Sequence, residues 1–292
     1  MFKGSYVALV TPMLSDGSVD YPSLQNLVEM HIEKGTHGIV AVGTTGESAT
    51  LPTPEHIEVV KRIVDYASGA IPIIAGNGAN STEEAIILSE GTKDLGIAGF
   101  LSVVPYYNKP QPRGIVAHFN AIASATDLPV LLYNVPSRTV TDMGTATVAE
   151  IAKHPNVVGL KDATGDMSRL KEAREILDKD FLILSGDDST GCEFMCLGGD
   201  GVISVTANIV PDKMAKMCEA ALSGDYTSAR KIDAPLQDLH EQLFIESNPV
   251  IPKWALYKMG LLNSPELRLP MVTPELNSQK VIQERLIELK LV

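Results

Sequence analysis

Residues 71–104 read IPIIAGNGANSTEEAIILSEGTKDLGIAGFLSVV. Two apolar runs, Ile71–Ala75 and Gly99–Val104, flank an amphipathic stretch, for which we predict a helix over Thr82–Leu95. The runs are continuous rather than alternating, as expected of parallel strands that are buried on both faces. Ser81 precedes the helix as a capping residue. The segment therefore predicts one strand–helix–strand unit of a parallel sheet.

The same alternation of strand and helix recurs along the chain. Helices are predicted, for example, over Ser23–Lys34 and over Pro54–Tyr66, the latter with Thr53 as its cap. The further predicted strands are Tyr6–Val10, Gly38–Val42, Pro129–Tyr133, Val157–Leu160, Phe181–Leu184 and Gly201–Val205. Eight strand signals, each followed by a helix signal, predict a (β/α)8 barrel, with a doubly wound open sheet as the structural alternative.

We expect the barrel to occupy residues 1–224. Three later segments have helical patterns without a further strand, so residues 225–292 are predicted to form a small helical C-terminal region. These segments are Asp225–Glu246, Pro249–Gly260 and Pro274–Leu291. No low-complexity linker separates the two parts, which favours packing as one unit.

Composition limits the classes of function. The chain has 292 residues, is 45% hydrophobic and carries a formal net charge of −12, which argues against the clustered basic face of a nucleic-acid-binding protein. No run approaches the ~20 apolar residues that span a bilayer. Three cysteines without paired spacing favour a reducing compartment, so we expect a cytoplasmic protein. The histidines lack metal-ligand spacing, and neither a metal nor a cofactor is predicted.

Lys161 ends the apolar run that begins at Val157. In a (β/α)8 barrel the chemistry collects at the carboxyl ends of the strands, and hydroxyl side chains dominate the other strand ends here. A lysine with a pKa near 10.4 is unprotonated in roughly one copy in two thousand at pH 7. Burial in a barrel mouth can free the amine for Schiff-base formation with a ketone. The alternative is a snorkelling lysine, or one paired with Asp162.

Other polar groups follow neighbouring strands. Tyr133 lies at the adjacent strand end and can shuttle protons, or it is a core tyrosine with a satisfied hydroxyl. The turn Gly43–Gly46 offers backbone N–H groups and two hydroxyls that suit a carboxylate, or it is a simple turn. Arg138 can hold a carboxylate bidentately, or it is a solvated loop arginine. We interpret Asp187 and Asp188 as acids that cap a helix.

Several motifs resemble those of the dihydrodipicolinate synthase family. The resemblance runs over nearly the full chain, in register, and the motifs together are highly specific. They are Gly43–Ser48, Pro105–Pro110, Tyr133–Thr139, Gly159–Gly165, Ser185–Asp188 and Gly201–Val205.

The resemblance implies the condensation of pyruvate with L-aspartate 4-semialdehyde, on the diaminopimelate route to lysine, by a homotetramer built as a dimer of dimers. Lys161 would form the imine, with a proton relay in which Tyr107 comes from the neighbouring subunit. The implied catalytic residues are Lys161, Tyr133, Thr44 and Tyr107. Thr44 and Thr45 would hold the pyruvate carboxylate and Arg138 the semialdehyde, while the backbone at Gly186 and Ile203 would shape the pocket.

The resemblance also implies inhibition by L-lysine. Residues that match the inhibitor site of feedback-inhibited members are Ser48, Ala49, His56, Asn80, Glu84 and Tyr106. Glu84 can accept a hydrogen bond from an ammonium, and Tyr106 can supply an aromatic wall. The alternative is that these are ordinary capping and interface residues. Thr53, where many such members carry histidine, bears on the strength of inhibition.

Two other functions stay open at this point. Lyases of sialic acid and other keto-sugar acids share the lysine and the tyrosine, but they would not be expected to keep Ser137-Arg138-Thr139. A non-catalytic barrel that binds a small acid would need no basic Lys161. One further departure from the family pattern, Val250-Ile251-Pro252, is expected to affect local packing and subunit contacts rather than chemistry.

Overall fold

Eight short parallel strands close in chain order to form a barrel. The computed structural model of the protein describes residues 2–292. The strands are β1 (Gly4–Ala8), β2 (Gly38–Ala41), β3 (Ile73–Gly76), β4 (Gly99–Val103), β5 (Val130–Asn134), β6 (Val157–Asp162), β7 (Leu182–Ser185) and β8 (Gly201–Ser204). All eight predicted strands are present, with small shifts at their ends. The predicted (β/α)8 barrel is confirmed, and the open sheet is excluded.

Helices surround the barrel and follow it. Those that accompany the strands are α1 (Tyr21–Glu33), α2 (Thr53–Ala67), α3 (Thr82–Thr92), α4 (Pro112–Ser124), α5 (Pro136–Thr139), α6 (Thr145–Ile151), α7 (Met167–Ile176), α8 (Asp188–Cys196) and α9 (Pro211–Leu222). Those that follow are α10 (Tyr226–Asp233), α11 (Gln237–Gln242), α12 (Val250–Lys258) and α13 (Leu276–Glu288).

The strands are buried on both faces, which explains their continuous apolar sequence. Tyr6 and Ala8 belong to a cluster inside the barrel, whereas Val7 belongs to the larger core between strands and helices. Side chains thus alternate between two apolar environments. The Tyr6 ring lies against Gly38, where an added Cβ would approach the ring to 2.1 Å. The barrel interior is therefore a packed core that requires glycine at this position.

The helix starts confirm one predicted cap and contradict another. The Ser81 hydroxyl accepts a hydrogen bond from the Glu84 backbone N–H (3.4 Å) at the start of α3. Thr53 is not a cap, because α2 begins at Thr53 itself and its preceding residue, Pro52, makes no side-chain cap bond. The proline at the second position, Pro54, starts the helix without a capping hydroxyl, since its fixed φ suits the first turn.

The C-terminal helices differ from the prediction in one place. The helix expected over Asp225–Glu246 is divided into α10, a 3-10 turn at Ala234–Leu236, and α11. Pro235 lies in that turn and cannot donate a backbone hydrogen bond, which accounts for the break. α10 packs on α9, while α11 and α12 pack on α13. The division into residues 1–224 and 225–292 stays a prediction.

The unusual Pro252 fits its helix without disruption. It lies at the third position of α12, in the first turn, where a backbone N–H has no acceptor within the helix. Its side chain and that of Ile251 are buried. Among residues 2–292 no helix has both the length and the apolar character needed to cross a bilayer.

Candidate active site

A cavity of about 610 Å³ opens at the carboxyl ends of the barrel strands. It is lined by loops after the strands and by the segment that precedes α12. The residues with polar or charged side chains in its wall are Thr44, Thr45, Tyr133, Ser137, Arg138, Lys161, Asp187, Glu246, Ser247 and Asn248. Six of the eight predicted catalytic and substrate-binding residues therefore line one cavity, namely Thr44, Thr45, Tyr133, Arg138, Lys161 and Gly186.

Lys161 and Tyr133 lie side by side because β5 and β6 pair in parallel with these two residues in register. The Lys161 side chain is almost completely buried, and its Nζ lies 4.2 Å from the centre of the Tyr133 ring. Asp162 is not its partner: successive residues of a strand face opposite ways, and Asp162 binds Arg169 (3.1 Å) on the outside. The ion-pair alternative for Lys161 is thereby excluded.

Burial changes the acidity of this amine. It lowers the pKa of Lys161 from 10.5 to about 7, and the Arg138 guanidinium adds to this, while the negative charge of Asp188 opposes it. At neutral pH a large fraction of the amine is therefore uncharged and nucleophilic.

The two acids after β7 have different roles. Asp187 caps α8 as predicted, accepting hydrogen bonds from the Thr190 backbone N–H (3.1 Å) and hydroxyl (2.6 Å). Asp188 is not a cap. Its Oδ2 accepts from the backbone N–H groups of Val205 (2.9 Å) and Thr206 (2.8 Å) after β8. The helix carries Asp188 back toward the barrel, where its buried charge acts on Lys161.

Tyr133 is buried at the floor of the cavity, beside Thr44 and Lys161. Burial raises the pKa of the phenol, while the Arg138 charge and a hydrogen bond with the Thr44 hydroxyl act in the opposite direction. The phenol is thus kept protonated at neutral pH and can donate a proton into the cavity.

The turn after β2 is held tightly. The Thr11 hydroxyl donates to the Gly46 carbonyl (2.7 Å), and an added Cβ on Gly46 would lie 2.9 Å from the Val42 backbone. Thr45 Oγ1 accepts a hydrogen bond from Asn248 Nδ2 (2.9 Å). Asn248, which we did not predict as a site residue, is separated from Thr45 by most of the barrel sequence, so no local pattern indicated it.

Arg138 and Gly186 border the cavity in different ways. Arg138 extends from the short helix α5 at the exposed mouth, where its Nη2 donates to the Asn248 carbonyl (3.4 Å). Gly186 lies against Lys161, and an added Cβ would approach the Lys161 Cε to 2.6 Å. Ile203 is buried within β8 and does not line the cavity.

A second cavity of about 290 Å³ lies beside the first, and Thr44 and Arg138 line both. Five of the six residues expected to bind L-lysine line the second cavity: Ser48, Ala49, His56, Glu84 and Tyr106. Thr53 lines it as well. The sixth residue, Asn80, donates to the Tyr106 carbonyl (3.3 Å) from beside it.

Tyr107 differs from the other predicted catalytic residues. It is 88% exposed and does not line the large cavity within its own chain. Its backbone has a φ of 73°, a conformation that is unusual for a bulky residue. The loop thus holds an aromatic side chain out in solvent at a conformational cost.

The closed barrel, the buried amine at the end of β6 and its phenol neighbour define a class of protein: a lyase that acts through a lysine Schiff base. A family model described as the dihydrodipicolinate synthetase family matches residues 1–289. The chain belongs to this family.

Individual relatives support the same family assignment. The chain is 66% identical, over 97% of each sequence, to 4-hydroxy-tetrahydrodipicolinate synthase of Pseudoalteromonas atlantica. It is 48% identical to a chloride-inhibited dihydrodipicolinate synthase from Acinetobacter baumannii complexed with pyruvate, with a TM-score of 0.98 and 100% of both chains covered. It is 38% identical to dihydrodipicolinate synthase from Cyanidioschyzon merolae with lysine bound, with a TM-score of 0.95 and coverage of 100% and 99%. These comparisons confirm the predicted family, the lyase class and the synthesis of 4-hydroxy-tetrahydrodipicolinate as the function.

Proposed function

We propose that the cavity condenses pyruvate with L-aspartate 4-semialdehyde through an imine on Lys161. The observation that carries the proposal is the buried Lys161 amine, whose pKa lies near 7, beside the Tyr133 phenol. The pyruvate in the Acinetobacter baumannii structure and the names of the relatives support this choice of substrates.

The first half of the reaction joins pyruvate to the protein. The turn at Thr44 and Thr45 receives the carboxylate on its hydroxyls and backbone N–H groups. The free amine of Lys161 attacks the ketone, and the Tyr133 phenol supplies the proton that lets water leave as the imine forms. The Tyr133 phenolate left by this step takes a proton from the methyl group, which converts the imine into an enamine whose terminal carbon is the nucleophile.

The second half joins the semialdehyde. Arg138 at the mouth holds its carboxylate, which directs the aldehyde toward the enamine. The new C–C bond leaves an alkoxide that Tyr133 protonates, and the imine is restored. The substrate's own amine then attacks the imine carbon and displaces the Lys161 amine, which closes the ring and releases the product. The Tyr133 phenolate takes back a proton from the ring nitrogen, so the cycle closes without a cofactor.

The partner subunit completes the relay in this proposal. Tyr107 is exposed and held in a costly backbone conformation, which is explained if it enters the relay beside Thr44 in a neighbouring copy. We infer a dimer of this kind, assembled in pairs as a homotetramer.

The second cavity is the proposed site of L-lysine. Its wall supplies the Glu84 carboxylate for an ammonium and the Tyr106 ring, and burial together with the Glu84 charge raises the pKa of the Tyr106 phenol. The Nε2 atom of His56 is not available to a ligand, because it donates to the Gly76 carbonyl (2.7 Å). Burial lowers the pKa of the His56 imidazole to about 4. A ligand there lies against Thr44 and Arg138, which also line the large cavity. Lysine bound to the Cyanidioschyzon merolae relative supports the assignment.

We also propose a cytoplasmic location. Cys192, Cys196 and Cys218 are all free thiols. Free thiols suit a reducing compartment.

Lys161 is expected to carry the covalent adduct. Reduction with borohydride in the presence of pyruvate should label Lys161, and Lys161→Met should abolish the label and lower turnover by several orders of magnitude. Because the pKa is depressed, labelling should rise with pH through about 7, so that about one-tenth of the amine is free at pH 6. Peptide mapping by mass spectrometry is the measurement. An adduct on exposed Lys109, or a midpoint near pH 10, would contradict the assignment.

Arg138 is expected to select the second substrate. Arg138→Ala removes a charge-assisted contact worth about 1.5–3 kcal/mol, so the semialdehyde KM should rise at least about tenfold. Pyruvate labelling should change much less. Steady-state kinetics with each substrate varied in turn checks this, and Arg113→Ala, on α4, is the matched control. Equal losses for both substrates would instead make Arg138 a general organiser of the cavity.

Tyr107 is expected to act in the neighbouring subunit. A Tyr107→Phe chain mixed with a Lys161→Met chain should regain partial activity, because one site of the mixed dimer then holds both intact residues. Two different affinity tags, one on each chain, allow the heterodimers to be isolated before the assay. Heterodimers without activity would place Tyr107 outside the relay of the partner.

Glu84 is expected to bind L-lysine. Calorimetry of the parent protein should detect binding at millimolar lysine, roughly −4 kcal/mol. Glu84→Gln should weaken that binding, whereas Glu83→Gln, one residue earlier on α3, should not. Thr53 in the cavity wall makes inhibition weaker than in relatives that carry histidine there. Lysine affinity that is the same in the parent and in Glu84→Gln would remove this site from consideration.

A further inference from the structure

Glu47 ends the turn that carries Thr44 and Thr45, and it is held in an unusual way. Its backbone φ is 60°, a left-handed conformation that non-glycine residues seldom adopt, and its side chain is buried. Such a conformation persists only where the surroundings fix it. Its backbone is hydrogen-bonded within the turn, to Thr44 and Thr50, but the partners of its side chain lie outside the strands and loops of the barrel.

The side-chain hydrogen bonds of Glu47 come from the C-terminal region. Lys253 Nζ, on α12, donates to Glu47 Oε1 (2.6 Å), and the Arg268 backbone N–H donates to Glu47 Oε2 (3.0 Å). The Lys253 side chain is 0% exposed. A fully buried ion pair loses hydration on both sides, and hydrogen bonds to both carboxylate oxygens offset part of that cost.

A second contact reaches the same turn from the same region. Asn248, just before α12, donates from Nδ2 to Thr45 Oγ1, as described above, and it is itself buried. Because Thr45 Oγ1 only accepts in this bond, its own hydrogen stays free to be donated into the cavity. The turn is therefore held at Thr45 and at Glu47, two residues apart, by residues of the C-terminal region.

We propose that Asn248, Lys253 and Glu47 form a brace by which the C-terminal region positions the carboxylate-binding turn for pyruvate. They are positioning residues, since the brace acts through Thr44 and Thr45 and does not touch the reacting atoms. The inference rests on the proposed function, because it assigns the turn to pyruvate. An apolar pair in place of Glu47 and Lys253 would also pack, but the ion pair has a directional requirement. It therefore fixes one geometry of the turn.

The brace has a specific kinetic signature. The turn holds the substrate carboxylate in every state from the free keto acid to the product, so a looser turn weakens binding throughout the reaction. Uniform binding of this kind appears in KM and not in kcat. Loss of the brace should therefore raise the pyruvate KM and leave kcat at saturating substrate nearly unchanged.

The double variant Glu47→Gln/Lys253→Met tests the brace without leaving a lone charge buried. Asn248→Ala tests it independently, by removing the bond to Thr45. In both, the pyruvate concentration for half-maximal borohydride labelling should rise about tenfold, as for the loss of one hydrogen bond to the turn. The turnover number should stay within about threefold. Lys258→Met, an exposed lysine on the same helix, is the matched control and should behave as the parent.

Two measurements separate the outcomes. Thermal unfolding shows whether each variant is folded, and Asn248→Ala decides the matter if the double variant is not. An unchanged pyruvate half-saturation in a folded variant overturns the brace, as does a fall in kcat without a change in KM. Calorimetric binding of pyruvate reports on the turn whether or not an adduct forms on Lys161. A parent protein that binds pyruvate but gives no adduct thus defeats the proposed function and not the brace.

Discussion

The chemistry of this barrel depends on keeping one amine out of water. Lys161 is surrounded by the Tyr133 ring, the Gly186 backbone and the interior of the barrel. Removal of water makes the ammonium costly, which brings the pKa down to about 7. The buried Asp188 charge limits the effect, and it would also favour the positive imine of the proposed reaction. At neutral pH the amine is therefore present both in the uncharged form, which is nucleophilic, and as the charged ammonium.

Close approach to Lys161 sets requirements on its neighbours. A side chain at position 186 would collide with the lysine, so glycine is needed there for a steric reason. Parallel pairing of β5 and β6 puts Tyr133 at the level of Lys161, and closure of the barrel keeps the two strands in this register. The closed sheet thus holds the Tyr133 phenol and the Lys161 amine in fixed positions before a substrate arrives.

The C-terminal region lines the large cavity together with the barrel. Residues 244–248 form one wall of the cavity, and α12 supplies the buried Lys253. A barrel of this kind has loops of its own at the carboxyl ends of its strands. Here the added helices cover part of that face and hold the turn at Thr45 and Glu47. The helices beyond residue 224 therefore restrict the conformations that the turn after β2 can adopt.

The sequence by itself determined the order and type of the barrel elements, because continuous apolar runs between helical patterns have few other solutions. It also predicted that Lys161, Tyr133 and the turn at Thr44 lie together, since strand ends of a barrel meet at one face and their polar residues can be read in order. The helix caps were predicted less well. Ser81 caps α3 as predicted, whereas Thr53 does not cap α2, because Pro54 starts that helix without a capping hydroxyl. Tertiary structure alone decided that Asp162 faces away from Lys161, that Asp188 reaches the turn after β8, and that Asn248 and Lys253 hold the turn after β2. These contacts join residues that are distant in sequence, and a buried polar group is matched to its partner only when the whole chain has folded around both.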